Sequence, residues 1–576
     1  MTTYYTINYN EFVMRGKEIR KLFSVAFIFV VLVIAASAVC FAETPPAYND
    51  EVRIDVYVNG SKTGDAAYTI KGNIYLNINT IKNYGDTTGI TFDTSENKAY
   101  FNSSDMDMFF GDAETTDFIK SNAGRVYLPI KYFKSAYHVS LGSISQLCKL
   151  HYEYRNGAVY LNPYKGISPL LVSTAGSSAV NMNGHAIGST ITMPYGNKVT
   201  IISETTSLYR VSDLQGAEYY VSKADFEKTS GASVKRYIQN SRAKDTFSTQ
   251  INLAWLMAGA RTELAPEANA GLDVLAPIWM RLEINGGGNV RNNCEYGFVE
   301  LCHAYGAKVW ICVNNNFDSS GSSAYTSTVL KNTSLRNKAI AQYLLYACLY
   351  DADGINVDFE AMEKSVIRQY YTAFIQELAK HCNKLGLTIS VATPVANSYW
   401  MGYYDFAAMG SVVDYICPMA YEEHYSKGAG AGSTMSPAWY TSTTNDLINL
   451  VGPGKVLLGV PFFTQEWTFD SAGNITKLDA VTIKTSLNDI AASGTTPVWS
   501  EEEGQYIATY TNADGNTVKI WVEDPRSMAF KLNYVKNANI AGTACWAYGQ
   551  NTPDMLDVFA KVFKQGVDPF SITGYW

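Results

Sequence analysis

Asp353-Gly354-Ile355-Asn356-Val357-Asp358-Phe359-Glu360 is the stretch on which the fold of this 576-residue chain turns. From Ile355 it alternates: Ile355, Val357 and Phe359 are apolar, while Asn356, Asp358 and Glu360 are polar. Successive side chains of a strand point to opposite faces, so the three polar groups share one face. The α-carbons of Asp358 and Glu360 then stand roughly 6.6 Å apart, close enough for both carboxyl groups to serve one site. A glycine at the entry and an apolar back argue for a packed strand rather than a solvated edge carrying surface acids.

Outward from this strand, the region from about 248 onward alternates strands with helical patterns, the mark of a parallel sheet with crossover helices. Eight strands are expected: Ile251–Leu256, Asp273–Met280, Lys308–Asn314, Gly354–Glu360, Thr388–Pro394, Val412–Tyr421, Lys455–Phe463 and Gly542–Gly549. Helical patterns fall at Gly297–Tyr305, Arg336–Tyr350, Val366–Leu385, Thr443–Val451 and Pro525–Asn537. The fold class is therefore a multidomain chain with a C-terminal (β/α)8 TIM barrel over residues 248–565, its active site at the strand C-terminal ends. Residues 464–524 are too many for a loop and predict a β-rich insertion between strands seven and eight.

Small β-rich modules precede the barrel. Gly72-Asn73-Ile74-Tyr75-Leu76-Asn77-Ile78 is echoed by Gly124-Arg125-Val126-Tyr127-Leu128-Pro129-Ile130. Each copy is read as leading into a short helical piece (79–84 and 131–137) and then a hairpin, the second turning at Asn156-Gly157. Residues 50–163 resemble the stalk domain of copper amine oxidases and many envelope proteins. No copper site follows, because His138 and His151 are isolated. Residues 168–228 resemble a bacterial SH3-type barrel, either a binder of cell-wall peptide or a plain spacer, and 229–247 are read as a linker.

The N-terminus reads as an export signal over residues 1–42. Arg15, Lys17, Arg20 and Lys21 precede an apolar run from Leu22, and a small residue, Ala42, offers a cleavage point; Met14 is a candidate start. An uncleaved membrane anchor is the alternative. Losing the four basic and two acidic residues of this segment moves the net charge from −8 to −10. Without a basic run in the remainder, nucleic acid is not an expected partner. The eight remaining cysteines (Cys148, Cys294, Cys302, Cys312, Cys348, Cys382, Cys417 and Cys545) show no paired metal-ligand spacing and are read as core residues. No metal site, phosphate-binding glycine loop or Ser/Cys–His pair is present, so no cofactor is expected.

The signature resembles that of glycoside hydrolase family 18, DGxDxDxE at the end of the fourth strand of a (β/α)8 barrel. Asn356 is the departure, standing where many chitinases carry Asp. The resemblance implies that Glu360 is the acid/base, protonating the glycosidic oxygen and later activating water. It implies that the substrate's own acetamido oxygen is the nucleophile, with Asp358 accepting from the acetamido N–H and Tyr421, of Met419-Ala420-Tyr421, donating to its oxygen. Trp546 corresponds to a floor on which the sugar stacks. Asn356, Trp279, Asn314, Met419, Glu422 and Trp467 are further binding candidates, each with core packing as the alternative.

Phrases such as Ala276-Pro277-Ile278-Trp279 and Leu458-Gly459-Val460-Pro461-Phe462 are similar to a spore and cell-wall branch of sporulation-specific glycosylases and cortex-lytic N-acetylglucosaminidases. The expected activity is retaining hydrolysis of N-acetylglucosamine linkages in peptidoglycan by a secreted or envelope-bound monomer, held at the wall by its N-terminal modules. A chitinase or other endo-N-acetylglucosaminidase is one alternative, and a non-catalytic lectin of the same fold another.

Overall fold

A computed structural model describes residues 51–576, except 59, 107, 149, 164–169, 174–176, 179–191, 194–197, 213–217, 230–235, 238–243, 258–270, 285, 364–366, 398 and 422. The export signal expected over 1–42 lies outside the described residues. Among those described, no helix is long and apolar enough to cross a membrane.

Eight parallel strands form the C-terminal sheet: β1 (Ile251–Leu256), β2 (Val274–Leu282), β3 (Lys308–Asn314), β4 (Gly354–Asp358), β5 (Thr388–Thr393), β6 (Tyr415–Pro418), β7 (Leu457–Pro461) and β8 (Gly542–Trp546). Their order is β6-β5-β4-β3-β2-β1-β8-β7. The two outermost strands approach at a bridge between Ile416 and Val456, which nearly closes the sheet into a barrel. Helices α1 (Tyr296–Ala304), α2 (Ser322–Lys331), α3 (Thr333–Leu349), α4 (Ile367–Leu385), α5 (Pro437–Val451), α6 (Pro525–Asn537) and α7 (Pro553–Phe559) accompany them.

Strand ends differ from expectation where the chemistry of the backbone intervenes. β4 stops at Asp358, so Glu360 stands just beyond the strand. β6 and β7 end at Pro418 and Pro461, short of the ends expected at Tyr421 and Phe463. Beyond Pro461 the chain enters a separate strand, Phe463–Phe469, which opens the expected insertion: a five-stranded antiparallel sheet with a helix over Ile483–Ser493. Two apolar layers result. Leu253, Trp255, Val274, Ala276, Ile278, Cys312, Cys417 and Ala544 fill the barrel interior, while the larger outer layer lies between sheet and helices. All eight described cysteines are buried, and none of them forms a disulfide.

Residues 52–163 form a nine-stranded sheet, antiparallel but for the pairing of Val52–Val58 with Ala158–Pro163. The helix expected over 131–137 is instead the end of the strand Arg125–Phe133 and its hairpin to Ala136–Ser140. Lys134 and Ser135 both take positive φ, the geometry of a two-residue hairpin turn, and the helix follows at Leu141–Leu147. Local apolar spacing cannot reveal this, because the available sheet partner decides it.

This domain does not stand off from the barrel. Its core is continuous with the barrel's outer layer, and α3 buries every residue from Ala339 to Leu349 beneath it, as expected of a helix covered on both sides. Gly297 N–H donates to Asn73 Oδ1 (2.7 Å), Asn292 N–H to Tyr127 Oη (3.1 Å) and Gln342 Nε2 to the Ala123 carbonyl (2.8 Å). Between the two in sequence comes a five-stranded antiparallel sheet that includes Lys198–Glu204, Leu208–Ser212 and Glu218–Ser222. Within the expected SH3-type module, residues 179–191 lie outside the described residues and Thr192–Met193 is a short strand. In the expected linker, Arg236–Tyr237 pairs with Met108–Phe109.

Candidate active site

Gly354 opens β4 because a side chain there would strike the Thr388 carbonyl and the Trp310 ring. Asp353, before it, is buried at the other end of the barrel. Burial opposes its charge, but the His303 imidazole at 2.7 Å, the Val309 N–H at 2.8 Å and Lys308 outweigh it and hold the carboxyl below its usual range. The first acid of the signature is therefore a structural anchor, and the chemistry lies at the strand's far end.

Asn356 is fully buried in the interior layer. Its Oδ1 accepts from Trp255 Nε1 (2.9 Å) and its Nδ2 donates to Ser390 Oγ (2.8 Å), tying β4 to β1 and β5. The indole nitrogen can only donate, which fixes the orientation of the amide. One turn of the pleat further on, Asp358 is 5% exposed, and its Oδ1 is buried with no hydrogen-bond partner in the protein. Desolvation raises its pKa to about 7, which poises the group near neutrality.

Glu360 is partly exposed and its backbone is clamped. Its N–H donates to Asn315 Oδ1 (3.0 Å), and Asn315 Nδ2 donates back to its carbonyl (2.8 Å). Tyr404 Oη donates to the Phe359 carbonyl (2.7 Å), bracing the same turn from the loop after β5. Neither Asn315 nor Tyr404 was singled out in the sequence; a second Asn beyond a barrel strand, Asn314-Asn315-Asn316, was the available signal.

The other candidates divide. Asn314 is buried at the end of β3, directly beside Asp358 in the sheet register. Tyr421 lies just beyond β6, 9% exposed, its ring edge-on to Phe463 at 6.1 Å. Met419 and Trp546 flank the same interior layer, and Trp546 stands 6.2 Å from Trp255 between ring centroids. Trp255, unnoticed in the sequence, thus links Asn356 to Trp546. Trp279 falls elsewhere: it packs edge-on to Phe298 at 5.5 Å in the outer layer. Trp467 is fully buried in the insertion sheet, its indole N–H without a partner. Glu422 lies outside the described residues. Among those described, no three His, Cys, Asp or Glu side chains gather as a metal would require.

Residues 291–551 match the family described as "Glycosyl hydrolases family 18". The match begins after β1 and β2, which the structure adds to the same barrel. Similar curated proteins include an "Uncharacterized glycosylase YvbX" of Bacillus subtilis, 25% identical over 45% of this chain and 75% of that protein. A "Cortical fragment-lytic enzyme" of the same organism is 25% identical over 41% of this chain and 57% of its own length. Human "Di-N-acetylchitobiase" is 24% identical over 36% and 60% respectively. The chain thus spans only somewhat over half of the last two. With the signature strand, the nearly closed barrel and the family match falling on one region, residues 291–551 are a glycosyl hydrolase family 18 domain.

Proposed function

We propose that the chain is a retaining glycoside hydrolase that cleaves N-acetylglucosamine linkages in peptidoglycan, the substrate's acetamido group serving as nucleophile. The observation that carries this reading is a partly exposed Glu360 just beyond the end of β4, two residues after a buried Asp358 whose Oδ1 has no hydrogen-bond partner. Glu360 protonates the leaving oxygen, and the acetamido oxygen closes on the anomeric carbon to give an oxazolinium ion. The free Oδ1 of Asp358 accepts from the acetamido N–H and offsets the charge of that ion. Tyr421 donates to the acetamido oxygen and holds it in line. Glu360 then draws the proton from the water that opens the ring, retaining configuration.

The fragment-lytic relative supports the choice of cell-wall glycan. The chitobiase relative favours a second reading, hydrolysis of chitin-type oligomers by the same residues. The test is mass spectrometry of digests of purified peptidoglycan and of chitin oligomers, with residues 43–576 and its Glu360→Gln variant. Muropeptides ending in reducing N-acetylglucosamine, absent with the variant, are the expected result. Cleavage of chitin oligomers alone would select the second reading, and binding without cleavage of either would make the protein a lectin.

A further inference from the structure

β2 does not run regularly to its end. Ile278 pairs with Cys312 of β3, yet Met280 pairs with Val313 and Arg281 with Asn314, so one extra residue is accommodated at Trp279. Such a bulge re-aims every side chain beyond it. Val274, Ala276 and Ile278 point into the barrel, and Trp279 and Met280 both point outward. Arg281, between the outward Met280 and Leu282, is returned to the inner side. A regular strand would have carried it into the outer layer.

The register then places Arg281 beside Asn314, and Asn314 beside Asp358. Burial first pushes up the pKa of the Cys312 thiol; the charges of Asp358 and Glu360 add to this, and that of Arg281 opposes it. A second arginine joins it: Val290–Asn292 folds back antiparallel on β2, setting Arg291 directly opposite Arg281. Two like charges at facing positions oppose pairing, in a chain whose net charge is −8. Among the described residues Arg281 has one loose acidic contact, with Asp318 at 3.4 Å, and Asp318 is itself 61% exposed. An ion pair so open to water contributes little.

We propose that Arg281 and Arg291 form an anion-recognising rim, two strands along the sheet from Asp358, that takes a carboxylate carried by the glycan. This rests on the reading of the site as a glycoside hydrolase and names the substrate feature that separates a wall glycan from neutral chitin. The carboxylate has two sources: the lactyl group of a muramic residue once its peptide is removed, or the acids of the peptide stem. A guanidinium offers either one paired donors.

The test uses residues 43–576 with Arg281→Gln, Arg291→Gln and Arg281→Lys, and measures kcat/KM on three substrates. These are glycan strands stripped of peptide, strands bearing stems, and a neutral N-acetylglucosamine oligomer. The ratio of an anionic to the neutral substrate falls about tenfold with Arg281→Gln, less with Arg291→Gln, and is largely restored by Arg281→Lys. A fall on stripped strands assigns the lactyl carboxylate; a fall only on stem-bearing strands assigns the peptide. Unchanged ratios on both overturn the proposal. Arg291 is exposed, so its variant keeps the test alive if Arg281→Gln misfolds. Should the wild type cleave none of the three, hydrolase action fails, and the rim is judged separately by equilibrium binding of the same oligomers to Glu360→Gln with and without Arg291→Gln.

Discussion

Asp358 couples the site to pH with a definite sign. Its folded pKa of about 7 lies well above the roughly 3.9 of an unfolded Asp. Ionisation is therefore disfavoured in the folded state, and stability falls as pH rises through that window. Asp358→Asn is expected to abolish activity yet to gain stability relative to wild type, by roughly 3 kcal/mol between about pH 5 and about pH 8. Denaturant melts at both pH values measure this, and a pH-independent difference would remove the buried-charge argument. Asn315→Ala, by contrast, leaves the Glu360 backbone groups unpaired. The expected cost is about 1–3 kcal/mol of stability, with kcat down about tenfold or more and KM little changed, read by steady-state kinetics. Asp358 and Glu360 are legible in the sequence because alternation in one strand places them. Asn315, Trp255 and Ser390 come from other segments, so no local pattern names them.

At the level of elements, the insertion is joined to the barrel through a buried polar knot at the start of α6. Lys531 Nζ reaches Glu523 at 2.9 Å with both side chains buried, and Gln505 Nε2 donates to the same carboxylate at 2.7 Å. Asp524 caps α6 and also accepts from the Tyr575 N–H. Lys531→Met strands a buried carboxylate and is expected to cost about 3–5 kcal/mol, much of it recovered in the double variant with Glu523→Gln. Urea melts of the single and double variants check this, and additive losses would argue that the two do not act as a pair. The eight strands follow from apolar runs bounded by turns. Their ends do not, since β6 and β7 end at Pro418 and Pro461, where apolar patterning alone would carry them further.

Across the molecule, the small N-terminal sheet and the barrel share one apolar layer, so they are expected to unfold in a single calorimetric transition. Gly297 sits at their contact, where a Cβ would come within 2.2 Å of the Gly72 carbonyl. Gly297→Ala is expected to cost about 1–3 kcal/mol and to split that transition; two transitions in the wild type would show the domains to be independent. The sequence by itself determined the alternating strand–helix order, the β-rich modules and the acid pair at the end of β4, because each rests on periodicity within a few residues. Only the tertiary structure decided that the N-terminal domain is clasped to α3, that Trp279 packs in the outer layer and that the strand register shifts before Arg281. Those depend on a one-residue bulge and on surfaces far apart in the chain, and a side-chain period of two reverses its meaning whenever the register slips by one.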